Sequence, residues 1–305
     1  MRKLITIGTY DGVHRGHRKI ISAVLRDSRK LALKPAVIYF PSPPKFFFLK
    51  QSENCLITLP EERERLVRQA GMVCAEALPF TAKLSAMQAE RFFSDVLVDY
   101  YGAAGLCVGR DFAIGRGREG NVDFLRKACA GVGIFFRAMS FVRHGGHKIS
   151  SSLIRAFLHC GNVEEANVCL GWDYSVSGRV VRGAGLGRKL GFPTANIEAH
   201  PAKILPPGIF AARVKLGADT FEAVLNVGRR PTVDTLGGRM VLEAHILNFS
   251  KMIYGRKLEV VFLKHLRPER KFHSRESLVR HIKADIVNAR HFFIETHKKT
   301  KLAIR

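Results

Sequence analysis

The chain is short of acids. It carries 26 Asp and Glu against 50 Lys and Arg, a formal net charge of +24 over 305 residues. An excess of this size draws polyanions to the surface. No module that reads nucleic acid is present, so a dedicated nucleic-acid partner is not expected. The six cysteines lack pattern as well. Cys55, Cys74, Cys107, Cys129, Cys160 and Cys169 form no C-x-x-C pair, and none has a histidine at zinc-finger spacing. Lying mostly among apolar residues, they are expected to be buried, reduced thiols, which points to the cytoplasm. No apolar run is long enough to span a bilayer. Residues 46–49 are too few, and the run before Asp11 is too brief for a signal peptide. Internal repeats, low-complexity tracts and a G-x-x-x-x-G-K-[ST] phosphate loop are also missing.

What remains is a chain with 47% hydrophobic residues, long enough for two domains of roughly 150 residues each. Residues 4–7 read as a buried strand ending in Gly8. A polar loop follows over 9–16, then a helix to about Lys30 with Ile20, Ile21, Val24, Leu25 and Leu31 on one face. A strand over 36–40 is stopped by Pro41, Pro43 and Pro44. Helices over 60–71, 89–101 and 122–130 alternate with strands near 72–80, 105–108 and 133–139, which predicts a doubly wound parallel α/β sheet. Helices over 151–159 and 163–170 close this half, and Gly171-Trp172-Asp173 breaks the chain.

Beyond the break, 174–181, 209–216, 221–227, 239–247 and 257–265 read as strands separated by turns, which predicts a small all-β barrel or sandwich. A terminal helix starts at Ser274 as N-cap and buries Leu278, Ile282, Ile286 and Phe293. The expected domains are 1–171 and 172–295, with 296–305 as a frayed basic tail.

Two segments carry chemistry. The first, Gly8-Thr9-Tyr10-Asp11-Gly12-Val13-His14-Arg15-Gly16-His17, joins a strand to a helix, where open α/β sheets bind ligands. His14 and His17 fall in the first helical turn, where imidazole N–H groups and the helix dipole stabilise charge on a phosphate. Lys148-Ile149-Ser150-Ser151-Ser152-Leu153-Ile154-Arg155 adds hydroxyls at a helix start and an Arg one turn inside, either an anion cradle or an ordinary serine cap.

These runs resemble the HxGH-type nucleotidyltransferases with a Rossmann-like sheet, and specifically the bacterial FAD synthetase module. The resemblance implies catalytic roles for His14 and His17. It implies ATP contacts from Gly8, Tyr10, Asp11, Gly16, Ser151, Ser152 and Arg155, and flavin contacts from Asp111, Phe112 and Asn121. One departure stands out. The family's Phe-x-Pro-His-Pro turn reads Phe40-Pro41-Ser42-Pro43-Pro44 here, without the histidine.

The second segment runs over 178–196. Gly183, Gly185 and Gly187 let backbone N–H groups approach a phosphate, and Thr194 and Asn196 offer neutral oxygens suited to a hard cation. Gly187-Arg188-Lys189-Leu190-Gly191-Phe192-Pro193-Thr194-Ala195-Asn196 resembles the riboflavin kinase signature. Further matches follow in the family's order: Leu205-Pro206-Pro207-Gly208-Ile209-Phe210, Asn226-Val227-Gly228-Arg229-Arg230-Pro231-Thr232, Leu242-Glu243-Ala244-His245, Tyr254-Gly255-Arg256, and Leu266-Arg267-Pro268-Glu269-Arg270-Lys271-Phe272.

This resemblance implies a Greek-key barrel with ATP contacts from Gly187, Arg188, Gly191, Pro193, Thr194 and Asn196. Thr194 and Asn196 would hold Mg2+, Glu243 would be catalytic, and Arg267 would contact flavin. By strand periodicity alone, an acid at 243 reads as solvent-facing. His245 shares its face, as a supporting partner or an ordinary half-buried histidine.

Together the resemblances cover essentially residues 1–290 and imply a bifunctional enzyme. Riboflavin and ATP would give FMN, and FMN with ATP would give FAD and pyrophosphate. The expected partners are these small molecules, with no membrane and at most weak self-association. The alternatives are a kinase whose adenylyltransferase half is weakened or inactive at Pro43, and a non-enzymatic flavin- or nucleic-acid-binding regulator.

Overall fold

The computed structural model describes residues 2–50, 52–232 and 235–303; the side chains of 230–239 and 299–303 lie outside the described residues. The chain divides into two compact units, Met1–Leu153 and Ile154–Arg305.

The first unit begins with β1 (Lys3–Gly8), α1 (Arg15–Lys30), β2 (Lys34–Tyr39), α2 (Pro44–Leu49), α3 (Pro60–Gln69), β3 (Cys74–Ala77) and α4 (Ala82–Ser85). It continues through α5 (Ala89–Arg91), which runs on as a π-helix over Phe92–Tyr100, then β4 (Ala103–Gly109), α6 (Val122–Gly131) and β5 (Phe135–Met139). A small hairpin, β6 (Arg143–His144) and β7 (His147–Lys148), leads into α7 (Ser151–His159).

The five main strands are all parallel, in the order β3-β2-β1-β4-β5. Central β1 is buried on both faces, as its run of Leu4, Ile5 and Ile7 requires. The winding reverses between β1 and β4, so the loop after β1 opens at the switch point of the sheet. Of the apolar face assigned to α1, Ile21 and Val24 are buried, whereas Leu31 lies past the helix as its exposed C-cap.

The second unit adds α8 (Val163–Leu170), β8 (Ser175–Val181), α9 (Leu186–Lys189), β9 (Ala195–Ala199), β10 (Gly208–Leu216), β11 (Asp219–Thr232), β12 (Thr235–Ile246), β13 (Lys257–Arg267) and α10 (Arg275–Ala303). The six strands close into an antiparallel barrel, β10-β11-β12-β9-β8-β13, with β13 pairing back onto β10. Phe210, Leu225, Leu242, Val260 and Phe262 fill its interior. Ile209, Ala211 and Val224 have the opposite parity and face outward, where Ala289, Phe293 and Ile286 of α10 cover them.

Sequence patterning puts the domain boundary near Gly171, whereas the compact units divide inside α7. The reason is local. Asn167 of α8 donates to Phe262 O at 2.9 Å and accepts from Tyr174 N at 2.8 Å, and Glu164 pairs with Lys264 at 2.9 Å. α8 is therefore stitched to β13. The segment expected as a frayed tail is helical as far as Ala303, while Ile304 and Arg305 lie outside the described residues.

Candidate active sites

The loop after β1 is wound tightly. Tyr10, Gly12 and Val13 all have positive φ, at 49°, 88° and 38°. For Tyr and Val this is strained backbone, of the kind held in place at functional sites. The anchors are visible. Tyr10 is buried with its hydroxyl on Thr6, and burial pushes its pKa well above the usual phenol value. Asp11 is wholly buried. Its carboxylate accepts from Ile57 N at 3.2 Å, Thr58 N at 2.8 Å, Thr58 Oγ1 at 3.0 Å and Arg63 Nη2 at 3.3 Å.

Arg63 is equally buried. Its Nη1 donates to Phe40 O at 2.6 Å and Pro41 O at 3.1 Å. One ion pair thus ties the loop after β1 to the turn after β2. That turn is the one lacking the family's histidine, and Arg63 holds its carbonyls while α2 starts at Pro44 with Pro43 as N-cap.

His14 is the N-cap of α1, its Nδ1 accepting from His17 N at 3.3 Å. When neutral, His14 therefore carries its hydrogen on Nε2 and presents a donor. The His14 and His17 rings stack at 3.6 Å, 17° from parallel. Gly16 leaves room here, because a Cβ would sit 3.0 Å from the His14 ring and press it out of place. No acid lies in the first turn of α1 to oppose an anion. Ser151 Oγ donates to the backbone O of Asp11 at 2.8 Å, which pins the start of α7 to this loop. Ser150 caps α7 by accepting from Leu153 N, Ser152 is exposed, and Arg155 is buried one turn along.

Several expected ligand contacts also have partners within the protein. Asp11 is sealed under the loop and shapes it. The Asn121 side chain caps α6, accepting from Asp123 N and Phe124 N at 3.0 Å each. Phe112 packs against the core, and Asp111 pairs with Lys148.

In the barrel unit, register brings the site together. Antiparallel pairing sets Asn226 opposite Glu243 and Glu243 opposite Asn196, one polar row across β11, β12 and β9. The row lies on the outer face and borders a cavity of about 250 Å³ walled by the barrel, α9 and α10. Thr194, His245, Arg267, Asp285 and Ile282 also line it. A second cavity of about 140 Å³, lined by Val180, Arg188, Ile246, Phe249 and Tyr254, shares Thr194 with the first.

Glycines make room for this corner. A Cβ on Gly183 would fall 2.5 Å from Asn196 Cγ, and one on Gly187 would fall 3.1 Å from Thr194 Oγ1 and 2.5 Å from Phe192 O. Gly191 takes a positive φ of 85°. Arg267, expected as a flavin contact, is held by a two-pronged pair with Asp285 of α10, at 2.8 and 2.7 Å.

Sequence reasoning did not assign roles to Arg63, Asn226 or Asp285. Arg63 carried a signal, because it lies three and four residues before Leu66 and Val67, on the buried face of α3. The side chains of Arg230, Pro231 and Thr232, part of the second signature, lie outside the described residues.

Residues 1–153 match the FAD synthetase family model, and residues 170–293 match the riboflavin kinase model. The bifunctional riboflavin kinase/FMN adenylyltransferase of Escherichia coli K12 is 36% identical over 291 residues, covering 95% of this chain and 92% of the relative. Its counterpart in Pseudomonas fluorescens is 35% identical over 291 residues, covering 93% and 91%. That of Haemophilus influenzae is 32% identical over 290 residues, covering 95% and 94%. A crystal structure described as a macrolide-efflux protein from Streptococcus pneumoniae superposes with a TM-score of 0.85 at 28% identity, covering 95% of this chain and 94% of that one. Among the described residues of this chain, no helix is long and apolar enough to cross a membrane.

A Rossmann-like sheet with an HxGH loop, joined to a closed barrel with a polar outer row, defines a two-module transferase of phosphoryl and nucleotidyl groups. The chain belongs to the bifunctional riboflavin kinase/FMN adenylyltransferase family. It carries both catalytic domains, which favours the two-activity reading over a kinase alone or a non-enzymatic regulator.

Proposed function

We propose that riboflavin is phosphorylated to FMN on the outer face of the barrel and that FMN is adenylylated to FAD at the loop after β1. The observation that carries the first step is the position of Thr194 on the boundary of two cavities, with Glu243 in the wall of the larger. The larger cavity, with Leu190, Phe192, Ile209 and Phe272 in its walls, fits a flat apolar ring system. The smaller fits a nucleotide base, so the phosphates would pass Thr194 toward Glu243.

Glu243 accepts the proton of the ribityl hydroxyl as its oxygen bonds to the γ-phosphorus of ATP, and ADP leaves. Asn196 and Asn226 stand opposite Glu243 on the neighbouring strands. Thr194 and Asn196 are hard, neutral oxygen donors packed closely against Gly187 and Gly183, where any Cβ would collide with them, a set whose chemistry fits Mg2+. When bound, that ion would neutralise phosphate charge.

At the loop after β1, an FMN phosphate oxygen attacks the α-phosphorus of ATP and pyrophosphate departs. His14 and His17 donate hydrogen bonds to the phosphate oxygens as charge builds there. Ser152 contacts the triphosphate, and Asp111 contacts the flavin. The role of Asp11 is to hold the loop's shape. Chromatographic analysis of riboflavin, ATP and Mg2+ incubated with the protein tests both steps. FMN followed by FAD is expected, and absence of either product removes the corresponding step.

A further inference from the structure

The corner between the two barrel cavities is held from outside the backbone ladder. Pairing of β9 with β12 ends at Ala195 opposite Ala244, so Pro193 and Thr194 lie beyond the last ladder pair. Proline has no N–H to offer, which leaves the Pro193 carbonyl as its backbone handle. His245 takes that handle, with Nδ1 2.9 Å from Pro193 O. A carbonyl oxygen only accepts, so Nδ1 carries the hydrogen. The edge of the Phe192 ring meets the same imidazole, with centroids 6.1 Å apart. The glycine loop rests on this corner in turn, since Phe192 N donates to Gly187 O at 2.8 Å. His245 is two residues from Glu243 and shares its strand face.

We infer that His245 is a positioning residue for phosphoryl transfer, its Nδ1–H bond to Pro193 fixing Thr194 between the two cavities. The inference rests on the kinase reading above. Loss of the bond frees Pro193 and Thr194, which line the smaller cavity, together with Phe192 and the glycine loop, which line the larger, so handling of both substrates suffers.

Three variants separate this role from mere packing. His245→Phe keeps the ring and removes the donor. His245→Gln sets an amide near the position of Nε2. His245→Asn sets an amide N–H near the position of Nδ1. In riboflavin phosphorylation, Phe and Gln are expected to lower kcat/KM for ATP by about tenfold to a hundredfold. Asn is expected to stay within about threefold of the unaltered protein. Thermal unfolding and FMN adenylylation in the same samples report folding.

Histidine 15N NMR of the full chain without substrate is expected to place the neutral His245 hydrogen on Nδ1. Equal impairment by Asn and Phe, an unimpaired Phe variant, or a hydrogen on Nε2 overturns the inference. If the unaltered protein forms no FMN, the kinase reading fails, while the NMR signal still decides the His245 bond.

Discussion

Glu243 sits in an apolar strand, and by periodicity it belongs on the outside of the barrel, where it lies. It is not bathed in solvent because α10 roofs that outer face with Ile282 and Ile286, which makes an outward position a cavity wall. The residue was legible only through the signature around it, since the roof is set by a helix some forty residues further along. His14 and His17 were legible from spacing and from the strand-to-helix context. Arg63 was legible only in part: its spacing to Leu66 and Val67 marks the buried face of α3, but nothing local names its partner Asp11. The two sites are expected to fail separately. Glu243→Ala should abolish FMN formation from riboflavin and leave adenylylation of supplied FMN intact, and His17→Ala should do the reverse. Separate assays of the two reactions on each purified variant check this.

At the scale of elements, the Asp11–Arg63 pair joins the loop after β1, the turn after β2 and the start of α3. Removing Arg63 takes the countercharge from the buried Asp11 carboxylate and frees the Phe40 and Pro41 carbonyls, so Arg63→Met is expected to destabilise the first unit by about 3–5 kcal/mol. Urea unfolding followed by FMN adenylylation measures it.

The barrel unit carries a pH response. Partial burial lowers the pKa of His265 below the ordinary 6.5. The ring protonates more readily when the unit is unfolded. Its contribution is therefore present above pH 6.5 and is lost as pH falls through the depressed value. The urea midpoint of kinase activity should drop on acidification from about pH 7.5 to about pH 5.5, and His265→Asn should flatten the slope.

Most main elements were legible within a few residues, because period-two and period-3.6 patterns were clean. β9 was not, since Ala195–Ala199 is short and its polar start belongs to the site. α2 was hidden by its prolines, which read as a stop although Pro44 is a favourable first helical residue. The π-helical stretch Phe92–Tyr100 has the apolar content of an ordinary helix, and the chain pattern does not mark the change of hydrogen bonding.

For the whole molecule, residues 1–153 match the FAD synthetase model and residues 170–293 the riboflavin kinase model. FMN is the product of one activity and the substrate of the other. Mixing the Glu243→Ala protein with the His17→Ala protein should therefore restore riboflavin-to-FAD conversion through released FMN. Neither protein alone should make FAD from riboflavin, which a time course with both proteins and each singly would measure.

The larger cavity opens on the skin of the barrel, while much of the packed interior lies away from both cavities. Side chains such as Leu225, Val260 and Phe262 are expected to tolerate exchange for others of similar volume with little effect on turnover, because none of them lines either cavity. Lineages and protein engineers are thus free to retune the melting temperature of this half from within, and selection for catalysis falls on one outward seam and the helix that roofs it.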